Sequence, residues 1–265
     1  MKFQLTSDEG LEIHGQLTLP HHPRSLVIVV HGFKGFMDWG FFPWLAEQLC
    51  EHELAVCRFN MSRCGVGGRG ENFDRLDLFE HDTYSAQLAD LRTVSAYCRS
   101  QFPSLPTFLL GHSRGGGVAL LGADQVSDLC GVITWSAISR VDRWDDATKQ
   151  QWRRDGFLDV MNARTKQVMR MSSRMLDDID ANRERLDIGA AVERLKVPLF
   201  VVHGARDESV PVAESEVIAS HAVDVSRMII DSATHTFNAI HPLVHVPAEL
   251  SLAAEVGAHF CNAYA

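Results

Sequence analysis

The sequence predicts an α/β fold: a doubly wound, mostly parallel eight-stranded sheet, covered on both faces by helices and interrupted by a helical insertion. Three observations carry this. Apolar runs of strand length alternate with helical patterns along most of the chain. The central runs are continuously apolar and rich in Val, Ile and Leu, as strands buried on both faces are. Residues 109–116 read Leu-Leu-Gly-His-Ser-Arg-Gly-Gly, so Gly-x-Ser-x-Gly stands between an apolar run and a small-residue helical segment. That is the sequence form of a strand, a sharp turn and a helix.

The elements follow in order. Residues 2–7 and 11–19 flank Ser7-Asp8-Glu9-Gly10 and predict a hairpin. Residues 26–30 form the first buried strand. Residues 40–52 read helical, with Trp44, Leu45, Gln48 and Leu49 on a partly apolar face, and 54–59 form the next strand. In 81–101, Tyr84, Leu88, Leu91, Val94 and Tyr97 recur at spacings of three and four, which predicts a helix. Residues 106–110 are the strand before the Ser113 turn, and 115–123 the helix after it. Strands follow at 131–135, 197–203 and 226–231, with helices at 212–222 and 248–263.

Residues 139–195 break the rhythm. No strand is predicted there, charge is dense, and Met161, Val168, Met171, Met175 and Ile179 recur at helical spacing. The expected organisation is a core of 1–138 and 196–265 with 139–195 as a helical cap over a cleft. The methionines read first as the packed underside of a cap helix. Methionine also adapts to irregular apolar pockets, so Met171 and Met175 are candidates for lining an acyl site as well.

Composition narrows the function. A chain of 265 residues with 46% apolar and 22% charged residues suits one globular domain, or one with an insertion. A net charge of −9 argues against nucleic acid as partner, since phosphate binding needs a basic face. No stretch is long and apolar enough to span a bilayer, and the first residues lack a secretory pattern. Cytoplasmic location is therefore expected, with the six scattered cysteines as reduced thiols. No Cys/His set has zinc spacing. His21-His22 and the His241/His245 pair sit beside prolines without a carboxylate at ligand spacing, so neither a metal nor a cofactor is expected. The residues leave the oligomeric state open, a homodimer included.

Ser113 is the candidate nucleophile. A turn this tight forces strain at Ser113 and admits small residues alone at 111 and 115. A serine hydroxyl needs a base, and the base needs an orienting acid. On a doubly wound sheet both arrive on loops after later strands, in the chain order Ser, acid, His. Asp207 follows the 197–203 strand, with neighbouring Glu208 as runner-up. His235 follows the 226–231 strand. His203 ends the acid strand and reads as a structural decoy. Acyl transfer also needs donors for a developing oxyanion. The backbone N–H of Arg114, after the nucleophile, and that of Phe33, in His31-Gly32-Phe33-Lys34-Gly35, are the candidates. Lys34, Arg63 and Arg114 lie near the expected cleft, and Lys34 is a candidate substrate contact. Solvated surface cations are the reading favoured over an anionic substrate.

With these pieces the chain resembles the α/β-hydrolase superfamily from residue 26 to its end. The match rests on His31-Gly32-Phe33, Gly111-His112-Ser113-Arg114-Gly115, and the Asp207 and His235 loops in family order. It is similar to small capped bacterial carboxylesterases, near the cinnamoyl and feruloyl esterase-like group, where a helical insertion precedes the acid strand. Asn60-Met61-Ser62-Arg63-Cys64-Gly65-Val66-Gly67-Gly68 departs from the Arg-Gly-His-Gly type of loop found in relatives, which leaves Arg63 and Cys64 without an assigned role. The resemblance implies cofactor-free hydrolysis of a small-molecule carboxylic ester, of a short to medium acyl or an aromatic acid, through an acyl-enzyme. Thioesterase, acyltransferase, peptidase and perhydrolase chemistry use the same residues. A non-catalytic binding protein on this fold is the contrasting class.

Overall fold

The computed structural model describes residues 1–68 and 70–265. Ten strands and nine helices lie among them. In chain order they begin β1 (Lys2–Thr6), β2 (Glu12–Thr18), β3 (Ser25–Val30), α1 (Phe42–Glu51), β4 (Leu54–Phe59), α2 (Leu76–Phe79) and α3 (Tyr84–Gln101). Next come β5 (Thr107–His112), α4 (Arg114–Gly122), β6 (Leu129–Trp135), α5 (Asp146–Asp155), β7 (Phe157–Met161), β8 (Val168–Ser172), α6 (Arg174–Ala181) and α7 (Ile188–Glu193). The chain ends with β9 (Leu199–Gly204), α8 (Ala213–His221), β10 (Val225–Ile230) and α9 (Ala248–Tyr264).

Eight strands form one sheet in the order β1-β2-β4-β3-β5-β6-β9-β10. β3, β4, β5, β6, β9 and β10 run parallel, while β2 pairs antiparallel with both β1 and β4. All six residues of β3 are buried, and alternate ones belong to opposite layers. Leu26, Ile28 and Val30 join a core with Leu88, Leu91 and Val118 of α3 and α4. Val27 and Val29 join a second core with Leu45 of α1 and Leu250 of α9. A strand whose two faces both meet helices cannot alternate polar and apolar residues, which is why these runs are continuous.

Some boundaries move for local reasons. The predicted 81–101 helix starts later, as α3 from Tyr84, because Thr83 is extended and caps it by accepting from the Ala86 N–H at 3.2 Å. No helix among the described residues is long and apolar enough to cross a membrane.

The segment between β6 and β9 overturns the strandless expectation. It carries a two-stranded antiparallel sheet, β7 with β8, in register from Phe157↔Ser172 to Met161↔Val168. Asp145 caps α5 through the Thr148 N–H, and Gly156, at φ 78°, ends the helix in the left-handed region. The methionine periodicity came from mixing two elements. On β8, Met169 and Met171 are buried while Val168 and Arg170 are exposed, a period of two. Met175 and Ile179 then stand four apart on α6. Trp152 ties α5 to this hairpin by donating from Nε1 to the Met171 carbonyl at 2.9 Å.

Met171 and Met175 are 3% and 1% exposed and belong to the same buried cluster as Trp152. Truncating such a side chain removes its transfer energy and leaves a cavity. Met175→Ala is expected to lower the unfolding free energy by about 2–5 kcal/mol in urea titration. A change below about 0.5 kcal/mol would mean the site is surface-like.

Candidate active site

Three backbones meet at Ser113 with no room for side-chain carbons. Ser113 lies between β5 and α4 at φ 59°, ψ −123°, and its N–H donates to the Trp135 carbonyl at 2.8 Å. A Cβ on Gly111 would sit 2.3 Å from the Gly115 carbonyl oxygen, and one on Gly115 would sit 2.2 Å from that of Val30. Glycine is therefore required at both, and the hydroxyl is held clear of the sheet rim.

His235 reaches Ser113 from the loop after β10, and Asp207 reaches His235 from the loop after β9. An ionised carboxylate can only accept. His235 Nδ1 therefore donates to Asp207 Oδ2 at 2.8 Å, and Nε2 is left to accept the Ser113 hydroxyl at 3.0 Å. The Asp207 side chain is 0% exposed. Burial alone would raise its pKa. Hydrogen bonds from His203 and His235, the charge of His235 and the Val210 N–H outweigh burial and hold the carboxyl well below its usual range. Its Oδ1 also accepts from the Ser209 and Val210 N–H groups, each at 2.8 Å. Glu208 is exposed and lies outside this chain of bonds.

Histidines that the sequence left unassigned brace the arrangement. His203 Nε2 donates to the Val210 carbonyl at 2.9 Å and lies 3.3 Å from Asp207 Oδ2, so the expected decoy supports the acid. His112 Nε2 donates to the His235 carbonyl at 2.9 Å. Burial, and then the charge of His235, push its pKa down to about 3. His31 donates from Nδ1 to the Gly32 carbonyl and accepts at Nε2 from the Met61 N–H, which pins the loop before Phe33. Burial lowers its pKa to about 4, so it stays neutral in these roles.

The 31–35 loop lies against the Ser113 turn: a Cβ on Gly32 would be 2.9 Å from the Ser113 Cβ. Neither the Phe33 nor the Arg114 N–H is taken by a backbone carbonyl among the described residues. Two cavities open at Ser113. One, of about 240 Å³, is walled by Trp39, Phe42 and the 162–164 turn between β7 and β8. The other, of about 360 Å³, is walled by Tyr84, Arg114, Ile138, Arg143 and Trp144. Phe33 and Lys34 line both. Met171 and Met175 line neither, because their side chains are turned into the core beneath the β7-β8 hairpin.

Of the three cations noted in the sequence, Arg114 is not a solvated surface residue. It is 6% exposed, with its guanidinium 4.0 Å from the Phe33 ring centre and 5.2 Å from that of Tyr84. Asp82 lies behind it at 3.6 Å. Arg63 pairs with Glu9 and lines neither cavity. Burial pushes the Cys64 thiol up to about 12, which rules it out as a nucleophile at neutral pH.

A doubly wound sheet with Ser, Asp and His joined at its rim is the arrangement of an α/β hydrolase. The chain belongs to the Serine aminopeptidase, S33 family, whose profile matches residues 21–186. It is 26% identical over 196 residues to the 2,6-dihydropseudooxynicotine hydrolase of Paenarthrobacter nicotinovorans, across 70% of this chain and 45% of that protein. The chain thus spans under half the length of that relative. To the monoacylglycerol lipase of Mycolicibacterium smegmatis it is 23% identical over 231 residues, 74% of this chain and 75% of the lipase. Among solved structures, Est1E of Butyrivibrio proteoclasticus with ferulic acid bound superposes with a TM-score of 0.76 at 19% identity, covering 99% of this chain and 98% of Est1E. DcsB in complex with its substrate analogue gives a TM-score of 0.78 at 12% identity, covering 100% and 99%.

Asp82 leaves a measurable trace in stability. Burial raises its carboxyl from 3.8 to about 7, against the opposing effects of Arg114 and the Gln87 amide. Between those two pH values the unfolded chain releases this proton and the folded one keeps it. The contribution is therefore full below pH 3.8 and is lost as pH rises through about 7. Asp82→Asn is expected to flatten the fall in unfolding free energy across that window, by an amount on the order of a few kcal/mol. Asp90, raised by burial to about 6, keeps a part of the slope. An unchanged slope in chemical denaturation at several pH values would show that Asp82 is ionised in the fold.

Proposed function

We propose that the protein is a carboxylesterase whose catalytic triad is Ser113, His235 and Asp207. The observation that carries this is the unbroken path of hydrogen bonds from the Ser113 hydroxyl through both ring nitrogens of His235 to a buried carboxylate. His235 takes the Ser113 proton as the oxygen attacks the acyl carbon. The N–H groups of Phe33 and Arg114 receive the oxyanion, a pair in which each donor is worth about 2.7–4 kcal/mol. The imidazolium, balanced by Asp207, then protonates the leaving alcohol. Water, activated by the same imidazole, releases the acid from Ser113. We assign this cycle to esters of short to medium acyl or aromatic acids.

The relatives' names span a lipase and a hydrolase of 2,6-dihydropseudooxynicotine, while the family is named for an aminopeptidase. Charge favours the ester reading over the aminopeptidase one. A free α-amino group calls for a carboxylate, and among the described residues no Asp or Glu lines either cavity at Ser113. Lys34, Arg114 and Arg143 would face it instead. A cytoplasmic location is supported by the free state of all six cysteines.

A series of nitrophenyl esters of rising acyl length tests the assignment. Ser113→Ala is expected to lose about 10⁴-fold or more in kcat, as triads acting as a unit do. Retained activity would remove Ser113 from the chemistry. Asp207→Asn is expected to lose far more than Glu208→Gln, and the reverse order would move the acid to Glu208.

A further inference from the structure

The larger cavity at Ser113 has an unbalanced charge. Its walls hold three cations, Lys34, Arg114 and Arg143, and no carboxylate among the described residues. Arg143 is accounted for: it pairs with Glu214 at 3.1 Å and donates to the Ser209 carbonyl at 3.3 Å. Among the described residues, Lys34 has no such partner, and Arg114 has only a long ion pair behind it. Lys34 donates from Nζ to the neutral Met161 carbonyl at 3.0 Å and has no ion pair among the described residues. Arg114 packs on Phe33, and its ion pair with Asp82, at 3.6 Å, is too long for a hydrogen bond. Its Nη1 is sealed from solvent without a hydrogen-bond partner. Both line the larger cavity, and half-burial, then repulsion from Arg114, lower the pKa of Lys34.

Keeping two cations together in a partly dehydrated cleft is unfavourable unless an anion joins them. The surrounding walls, Phe33, Tyr84, Ile138 and Trp144, exclude water and so strengthen any charge pairing formed there. The net charge of −9 makes the local excess a property of this cleft and not of the whole surface.

Building on the ester-hydrolase reading of Ser113, we infer that the space between Lys34 and Arg114 is a subsite for a carboxylate carried by the substrate. The class it selects is the monoanionic ester. The carboxylate belongs either to the acyl part, as in a hemiester of a short dicarboxylic acid, or to the alcohol part.

Paired substrates distinguish the two sources. The acyl arm compares 4-nitrophenyl hemiglutarate with its methyl-capped neutral counterpart. The alcohol arm compares 4-carboxyphenyl butyrate with 4-carbamoylphenyl butyrate. In one arm the wild-type ratio of kcat/KM, anionic over neutral, is expected to be about tenfold or more, as charge-assisted hydrogen bonds supply. Lys34→Met and Arg114→Met are each expected to pull that ratio toward one, and salt is expected to reduce it in the wild type. Arg114 also packs on Phe33, so a merely structural role would slow both members of a pair and leave their ratio intact. Lys34→Met gives the answer even if Arg114→Met folds poorly. Ratios at or below one in both arms, or a ratio that survives Lys34→Met, would overturn the subsite. Equilibrium binding of both pairs, each anion beside its neutral counterpart, to Ser113→Ala separates the two levels, equal binding meaning equal within each pair. Charge-selective binding without wild-type turnover would sink the esterase reading alone, and equal binding would sink the subsite alone.

Discussion

Everything at the site depends on a steric constraint: the ends of β3 and β5 and the start of α4 approach so closely that no β-carbon fits between them. Gly111 and Gly115 are the consequence, and the positive φ of Ser113 is its cost, of order 1–3 kcal/mol for a non-glycine residue. The close approach sets the hydroxyl where a loop from β10 can meet it. It also presses the 31–35 loop onto the same turn, so a nucleophile and two unpaired N–H groups are fixed by one packing event. A softer turn would let the serine oxygen and the amide dipoles drift independently, and preorganised donors lose their value when they must reorganise.

Around that point, buried histidines do the positioning, while His235 is left for the proposed proton transfer. His31 and His112 are buried, held uncharged, and spend their ring nitrogens on backbone groups. His203 fastens the Asp207 loop from beneath. Of the four, His235 lines both cavities and has a buried carboxylate behind it. Thirteen histidines in the chain made each one weak as a signal. Their environments separate them.

Position after a strand end was enough to pick Ser113, Asp207 and His235 from the sequence, because a doubly wound sheet delivers its loops to one rim. The central strands β3, β4, β5 and β9 were legible for a related reason: burial on both faces writes a continuous apolar run. What failed was the reading of 139–195. There, a β-hairpin exposes alternate residues, and its period of two was masked by a following helix whose Met175 and Ile179 extended an apparent period of three and four. The same masking put Met171 and Met175 forward as pocket residues. Arg114 was misjudged for a different reason. An arginine after a nucleophile carries no sign of burial in its type, and the partners that bury it, Phe33, Tyr84 and Asp82, come from three separate segments.

Chemistry and selectivity consequently draw on different parts of the chain. The proposed nucleophile, acid, base and oxyanion donors all sit just past strand ends of the parallel sheet, where packing leaves little freedom. The walls that a substrate would touch come largely from elsewhere: the 162–164 turn beside Trp39, and Arg143 and Trp144 beside Arg114. Lys34 joins the two, since it stands next to Phe33 in the 31–35 loop and is held by the carbonyl of Met161 at the end of β7. Substitution in the segment between β6 and β9 can thus reshape both cavities while the sheet rim keeps its geometry. A fold arranged in this way can change what its cavities accept without rebuilding its rim; the two relatives, 26% and 23% identical, carry different substrate names.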